Sequence, residues 1–120
     1  MGTVILVDDD RSNTTLLKML LEMDGFHVVA CPGESQALAA SQNGVDAFII
    51  DCNLAQGEDG VDLLRAIRDG QTPASLDCPV IMTSGDDRRI GEAELAGATK
   101  FLLKPFSPSS LSELLNAMLV

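Results

Sequence analysis

Four apolar runs in this chain each stop at a residue able to do chemistry. Val4-Ile5-Leu6-Val7 gives way to Asp8-Asp9-Asp10, and Ala47-Phe48-Ile49-Ile50 to Asp51. Val80-Ile81-Met82-Thr83 gives way to Ser84-Gly85-Asp86, and Phe101-Leu102-Leu103 to Lys104-Pro105. Short apolar runs bounded by turn residues read as buried parallel strands. Open α/β sheets bind ligands outside the carboxyl ends of their strands. Asp8, Asp9, Asp51, Ser84 and Lys104 are therefore expected to converge at one sheet edge. Three carboxylates held together repel and raise one another's pKa. A hard divalent cation relieves that repulsion, and an oxygen-only ligand set favours Mg2+ over zinc. A cation, an ammonium and a hydroxyl are the groups that hold the oxygens of a phosphoryl group during transfer. A carboxylate at their centre, Asp51, can be the nucleophile and become an aspartyl phosphate.

The elements that must position these residues alternate. Strands are expected at Thr3–Val7, Phe26–Cys31, Asp46–Ile50, Pro79–Thr83 and Thr99–Leu103. The first helix is expected from Arg11 to about Asp24, capped by Asp10 or Ser12, with Leu16, Leu17, Leu20 and Leu21 on one face and Gly25 closing it. An alanine-rich helix follows at Glu34–Gln42, and a third from Gly60 to about Asp69 with Leu63, Leu64 and Ile67 inward. The fourth, Asp86–Ala96, has the thinnest apolar face (Ile90, Ala93, Leu95, Ala96) and an internal Gly91, which costs about 1 kcal/mol against alanine. Ser107-Pro108 is a cap followed by a first-turn proline, and Leu111, Leu114, Leu115, Met118 and Leu119 mark the last helix. Five strand–helix alternations imply a parallel sheet covered on both faces by right-handed crossovers. The second strand, Phe26–Cys31, is shorter and more mixed in composition, as at an edge.

With 120 residues the chain is one domain, residues 1–120, long enough for a real core; no output domain is expected within it. A net charge of −10 argues against direct binding to nucleic acid or an anionic membrane. No apolar stretch approaches the roughly 20 residues of a membrane span, and the N-terminus lacks a signal-peptide layout, so a cytoplasmic location is expected. Cys31, Cys52 and Cys78 have neither zinc nor redox spacing and read as reduced, buried thiols.

Asp8-Asp9, Asp51, Ser84 and Lys104-Pro105-Phe106, in that order and each at a strand end, resemble the receiver domain of two-component response regulators over the whole chain. The resemblance implies a flavodoxin-like, doubly wound (βα)5 fold with a five-stranded parallel sheet of order 2-1-3-4-5. It implies a phosphorylation-activated switch and not a turnover enzyme. Asp51 accepts the phosphoryl group from a phosphohistidine on a histidine kinase or histidine phosphotransfer protein. His27 is the only histidine and lies away from the edge, so the donor is another protein. By the same resemblance, Asp9 and Asp51 ligate Mg2+ directly, Asp8 acts through water, and the backbone carbonyl of Asn53 is a further ligand. Lys104 pairs with the phosphoryl group; Ser84 bonds it and moves toward it. Phe101 holds the aromatic switch position and turns inward. Asn53 and Asp86 tune dephosphorylation. The altered surface is the fourth helix, fifth strand and fifth helix, through which the family also admits a dimer.

Two departures stand out. The family's loop after the acceptor carries a proline four residues on and a glycine eight on; here Ala55 holds the first place and the glycine, Gly60, comes nine on. That lengthens the loop by one residue, as in some receivers of hybrid histidine kinases, so a module of such a kinase is the alternative reading. Phe101 stands where many members have tyrosine. An aspartate-nucleophile phosphatase would need a second acid two residues after Asp51, where Asn53 stands, and a binding-only relative would not keep the acids and the lysine.

Overall fold

The computed structural model describes residues 2–119. Its strands are β1 (Thr3–Val7), β2 (His27–Cys31), β3 (Ala47–Asp51), β4 (Val80–Ser84) and β5 (Lys100–Leu103), and its helices are α1 (Arg11–Met23), α2 (Glu34–Ser41), α3 (Gly60–Arg68), α4 (Ile90–Ala96) and α5 (Pro108–Met118). They form one parallel sheet in the order β2-β1-β3-β4-β5, the expected flavodoxin-like arrangement. β2 is an edge strand, as its composition suggested.

The period of two along each strand divides the core. Val4 and Leu6 of β1, Ala47 and Ile49 of β3, and Ile81 of β4 pack with Leu17 and Leu21 of α1 and Leu111 and Leu115 of α5. The alternate residues, Ile5, Val7, Phe48, Ile50, Val80 and Met82, pack with Ala37 of α2, Leu63, Leu64 and Ile67 of α3, and Ala93 of α4. Burying a leucine or isoleucine side chain contributes about 1.5–3 kcal/mol, so the three central strands anchor both layers.

Helix ends follow local chemistry. Asp10 caps α1 by accepting from the Asn13 N–H, and Ser107 caps α5 by accepting from Ser110 N–H with Pro108 in the first turn. Asp59 does the same for α3 through the Val61 N–H.

The structure revises several expected details. β3 runs one residue further and takes in Asp51, and β4 takes in Ser84, because the ladder continues past the apolar runs: Cys52 N–H donates to Thr83 O at 2.8 Å and Lys104 N–H to Ser84 O at 2.8 Å. On α1 only Leu17 and Leu21 are buried among the expected four leucines, and Leu16 is 48% exposed, because four leucines in adjacent pairs span a wider arc than the sheet covers. α4 proper is shorter than expected and is preceded by a 3-10 turn, Asp87–Arg89. Leu95, assigned to its apolar face, is 93% exposed; Ala93 is the residue that α4 buries.

Candidate functional site

Asp8 follows β1, Asp51 ends β3 and Lys104 follows β5. Each continues the alternation of the residues two earlier, Leu6, Ile49 and Leu102, all on the α1/α5 side of the sheet. The strand period therefore delivers two acids and one base to the same face. Lys104 Nζ donates to Asp51 Oδ2 at 2.6 Å and to Asp8 Oδ2 at 3.4 Å.

The carboxylates are further held by nearby donors. Asp51 Oδ1 accepts from the Asn53 N–H at 3.0 Å. Asp8 Oδ1 accepts from the Asp10 N–H at 3.0 Å, and Asp8 Oδ2 from Asn13 Nδ2 at 3.2 Å. Asp8 and Asp51 are buried, while Asp9 is exposed. Burial pushes the Asp51 carboxyl above its ordinary value; the bond from Lys104 and the Asn53 N–H offset part of that rise, and the charge of Asp8 adds to it. Burial works against the Lys104 ammonium too, but its bonds and attraction to Asp51 and Asp8 outweigh burial and raise its pKa.

Carboxylate oxygens of Asp8, Asp9 and Asp51 lie within 4.8 Å of one another. A cluster of hard oxygen donors with one member open to solvent fits Mg2+, which keeps several waters and takes few protein ligands.

Ser84 is fully buried at the end of β4 and continues the alternation of Val80 and Met82, which face the α2/α3/α4 side. No hydrogen bond joins it to Asp51. Its Oγ accepts from the Asp86 N–H at 3.0 Å and meets Asn53 Nδ2 at 3.5 Å. Phe101 pairs in register with Met82 and is half-buried against the α2/α3/α4-side core. Asp86 caps the turn before α4 and grips Arg88, accepting Nε at 2.9 Å and Nη2 at 2.9 Å; those bonds lower its pKa.

The longer loop after Asp51 folds back on itself. Leu54 N–H donates to Glu58 O at 3.2 Å and Gly60 N–H to Cys52 O at 2.9 Å, while Gln56 and Gly57 turn the chain with φ of 60° and 76°. Glu58 then caps α2, accepting the Glu34 N–H at 2.9 Å. Gly60 is forced by close approach: a Cβ there would stand 2.0 Å from the Asp51 carbonyl oxygen. The glycine nine residues after Asp51 thus has a steric reason to be glycine.

One residue near the site has no counterpart in the sequence reading. Arg89, at the start of α4, reaches across to this loop: Nη1 donates to Asn53 Oδ1 at 3.0 Å and Nη2 to both Asp59 oxygens at 2.9 and 2.7 Å, while Nε donates to Glu92 Oε1 at 2.8 Å. The available signal was that Arg88-Arg89 is the one adjacent basic pair in the sequence.

Comparison with known proteins agrees with this geometry. Residues 4–116 match the family described as response regulator receiver domain. The chain is 39% identical to the Escherichia coli transcriptional regulatory protein CpxR over 99% of its own length and 50% of that protein. It is 32% identical to the sensory/regulatory protein RpfC of Xanthomonas campestris over 98% of its length and 16% of RpfC. It therefore spans about half the length of the first of these relatives and a smaller part of the second. The Vibrio cholerae chemotaxis protein CheY4 superposes with a TM-score of 0.87 at 28% identity, covering 99% of both chains. The receiver domain of Francisella response regulator 1452 does so with a TM-score of 0.87 at 26% identity, covering 98% of this chain and 96% of that one. Among the described residues no helix is long and apolar enough to cross a membrane.

Proposed function

Because the chain belongs to the response regulator receiver domain family of two-component signalling, we propose that it is a phosphorylation-activated switch whose acceptor is Asp51. A carboxylate oxygen of Asp51 attacks the phosphorus of a phosphohistidine on a histidine kinase or histidine phosphotransfer protein. The O–P bond forms, the N–P bond breaks, and the partner's imidazole leaves with a proton from solvent. The observation that carries this reading is that the carboxylates of Asp8 and Asp51 both lie within bonding distance of the Lys104 ammonium.

Asp8, Asp9, Asp51 and the backbone carbonyl of Asn53 are the groups that would hold Mg2+; when bound, it supplies positive charge to the phosphoryl oxygens. Lys104 offers those oxygens a second positive charge, and its present contact with Asp51 keeps it at the acceptor. Ser84 moves toward the phosphoryl group, exchanging its contacts with Asn53 and the Asp86 N–H for a phosphoryl oxygen, and Phe101 turns inward behind it. The surface that changes is α4-β5-α5, where α4 buries one alanine and exposes Leu95, so it is weakly held. That surface serves the downstream effector or a dimer. Asn53 and Asp86 set the phosphoryl lifetime.

The domain, residues 1–120, is a cytoplasmic switch that works once per phosphorylation cycle and not as a turnover enzyme. Its acidity, with a net charge of −10, disfavours direct contact with nucleic acid. Its 32% identity to a protein of which it spans 16% supports a second arrangement, the same switch as a module inside a longer sensory protein such as a hybrid histidine kinase.

The test is incubation with Mg2+ and acetyl phosphate, followed by intact mass. An acid- and base-labile gain of about 80 Da, one phosphoryl group, is expected for the natural sequence and not for Asp51→Asn. Equal labelling of both proteins would contradict the assignment.

A further inference from the structure

Two residues flanking the acceptor, Asn53 and Asp86, carry oxygens able to accept a hydrogen bond from a water attacking phospho-Asp51. Both have those oxygens engaged by consecutive arginines. Asp86 uses both carboxylate oxygens on Arg88. Asn53 Oδ1 accepts from Arg89 Nη1 at 3.0 Å.

The second contact does more than the first. A guanidinium has donors only, so the Asn53 carboxamide must present its oxygen to Arg89 and its NH2 to the acceptor side. There Nδ2 meets Ser84 Oγ at 3.5 Å. Arg89 is itself fixed: its side chain is 17% exposed, against 87% for Arg88, and it also bonds Asp59, Glu92 and, at 3.4 Å, the carbonyl of Cys52. An exposed ion pair such as Arg88–Asp86 is worth little, whereas a guanidinium gripped on several sides is held in place.

We propose that Arg89 is a positioning residue that lengthens the life of the aspartyl phosphate by keeping the Asn53 carboxamide oxygen turned away from the acceptor. This rests on Asp51 being the acceptor. Hydrolysis forms a bond from water oxygen to phosphorus and breaks the bond from phosphorus to the Asp51 oxygen, releasing inorganic phosphate and the free carboxylate; the water's proton passes to phosphate or solvent. With Arg89 in place, Asn53 offers that water donors and no acceptor. Without it, the amide can rotate, present its oxygen, and orient the water for attack. Arg89 also ties the start of α4 to the loop after β3, so the same contact joins the phosphoryl lifetime to the element that moves.

The test follows the decay of phosphorylated protein by intact mass after removal of acetyl phosphate. Arg89→Ala should raise the decay rate about three- to tenfold, on the scale of one lost ordinary hydrogen bond to a positioned group. Arg89→Lys keeps the charge beside Asp59 but lacks the fork that holds Asn53 as well, and it should decay faster too. The increase should vanish in an Asn53→Ala background, and Arg88→Ala should change the rate by less than about twofold. In the unphosphorylated, metal-free protein, the Asn53 side-chain NH2 resonances should shift in Arg89→Lys, a change that general loosening of α4 would not confine to that residue. Unchanged or slower decay in both Arg89 variants, or an Arg89 effect that persists in full without the Asn53 amide, overturns the proposal while leaving Asp51 as acceptor. Failure of the natural sequence to take up phosphoryl at all overturns both.

Discussion

Lys104 Nζ lies 2.6 Å from one oxygen of Asp51, 53 residues earlier in the chain, and the same nitrogen also reaches Asp8. One ammonium thus offsets two buried carboxylates that different strands deliver. Replacing it with methionine keeps the stem and removes the charge. The expected loss is about 1–3 kcal/mol at pH 7 by urea unfolding, the cost of leaving two buried acids without their cation. The sign of its pH dependence follows from the raised Asp51 pKa. A carboxyl whose folded-state pKa lies above its unfolded value penalises the fold above that pKa, and the penalty is relieved as pH falls through it. Without Lys104 the rise is larger, so the variant should recover stability between pH 7 and about pH 4 relative to the natural sequence. A loss that grows on acidification would contradict this account of the pair.

The acidic cluster makes a separate prediction for metal. Millimolar Mg2+ should raise the melting temperature, by the equivalent of about 1–3 kcal/mol when the ion is well above its dissociation constant. Asp9→Asn, which removes the exposed member of the cluster, should blunt the shift, and a chelator should reverse it. A melting temperature indifferent to Mg2+ would count against the cluster as a cation site.

Two glycines should respond in opposite directions. Gly60→Ala would place a methyl 2.0 Å from the Asp51 carbonyl oxygen and 2.8 Å from Ile50 Cγ2. Backbone must shift, at a cost of about 3 kcal/mol or more, and the acceptor strand shifts with it. Gly91 lies inside α4 with open space around it, so Gly91→Ala should stabilise by about 0.5–1 kcal/mol. Denaturant melts of the two variants check both signs.

The buried thiols give a second pH window. Burial pushes Cys52 and Cys78 up to about 11 from an ordinary value of 9.0. The unfolded chain releases these protons first, so stability present below pH 9 is lost as pH rises toward 11. The double variant Cys52→Ala, Cys78→Ala should lose that part of the alkaline slope, read from melting temperatures across the window. An unchanged slope would mean that the thiols do not contribute.

Much of this arrangement was legible in the sequence because it rests on local rules. The five strands, the caps at Asp10 and Ser107-Pro108, and the inward face of α3 follow from periodicity and end chemistry. The parity that carries Asp8, Asp51 and Lys104 to one face is the same strand period, read one residue past each apolar run. What was missed depends on contacts between distant segments. Leu16 and Leu95 are apolar but lie outside the arcs that the sheet covers. Asp51 and Ser84 join their strands because neighbouring backbone keeps pairing beyond the last apolar side chain. Arg89 meets partners 30 and 36 residues away, which helical spacing cannot reveal.

The measurement that bears most directly on the central claim is chemical mapping of the acceptor. After phosphorylation with acetyl phosphate and Mg2+, borohydride reduces an acyl phosphate to an alcohol, converting the modified aspartate to homoserine with release of phosphate. Peptide sequencing by mass should place homoserine at residue 51, with Asp8, Asp9, Asp59 and Asp86 unchanged. Homoserine at any other aspartate, or none under conditions in which the intact protein gains a phosphoryl group, would contradict Asp51 as the acceptor.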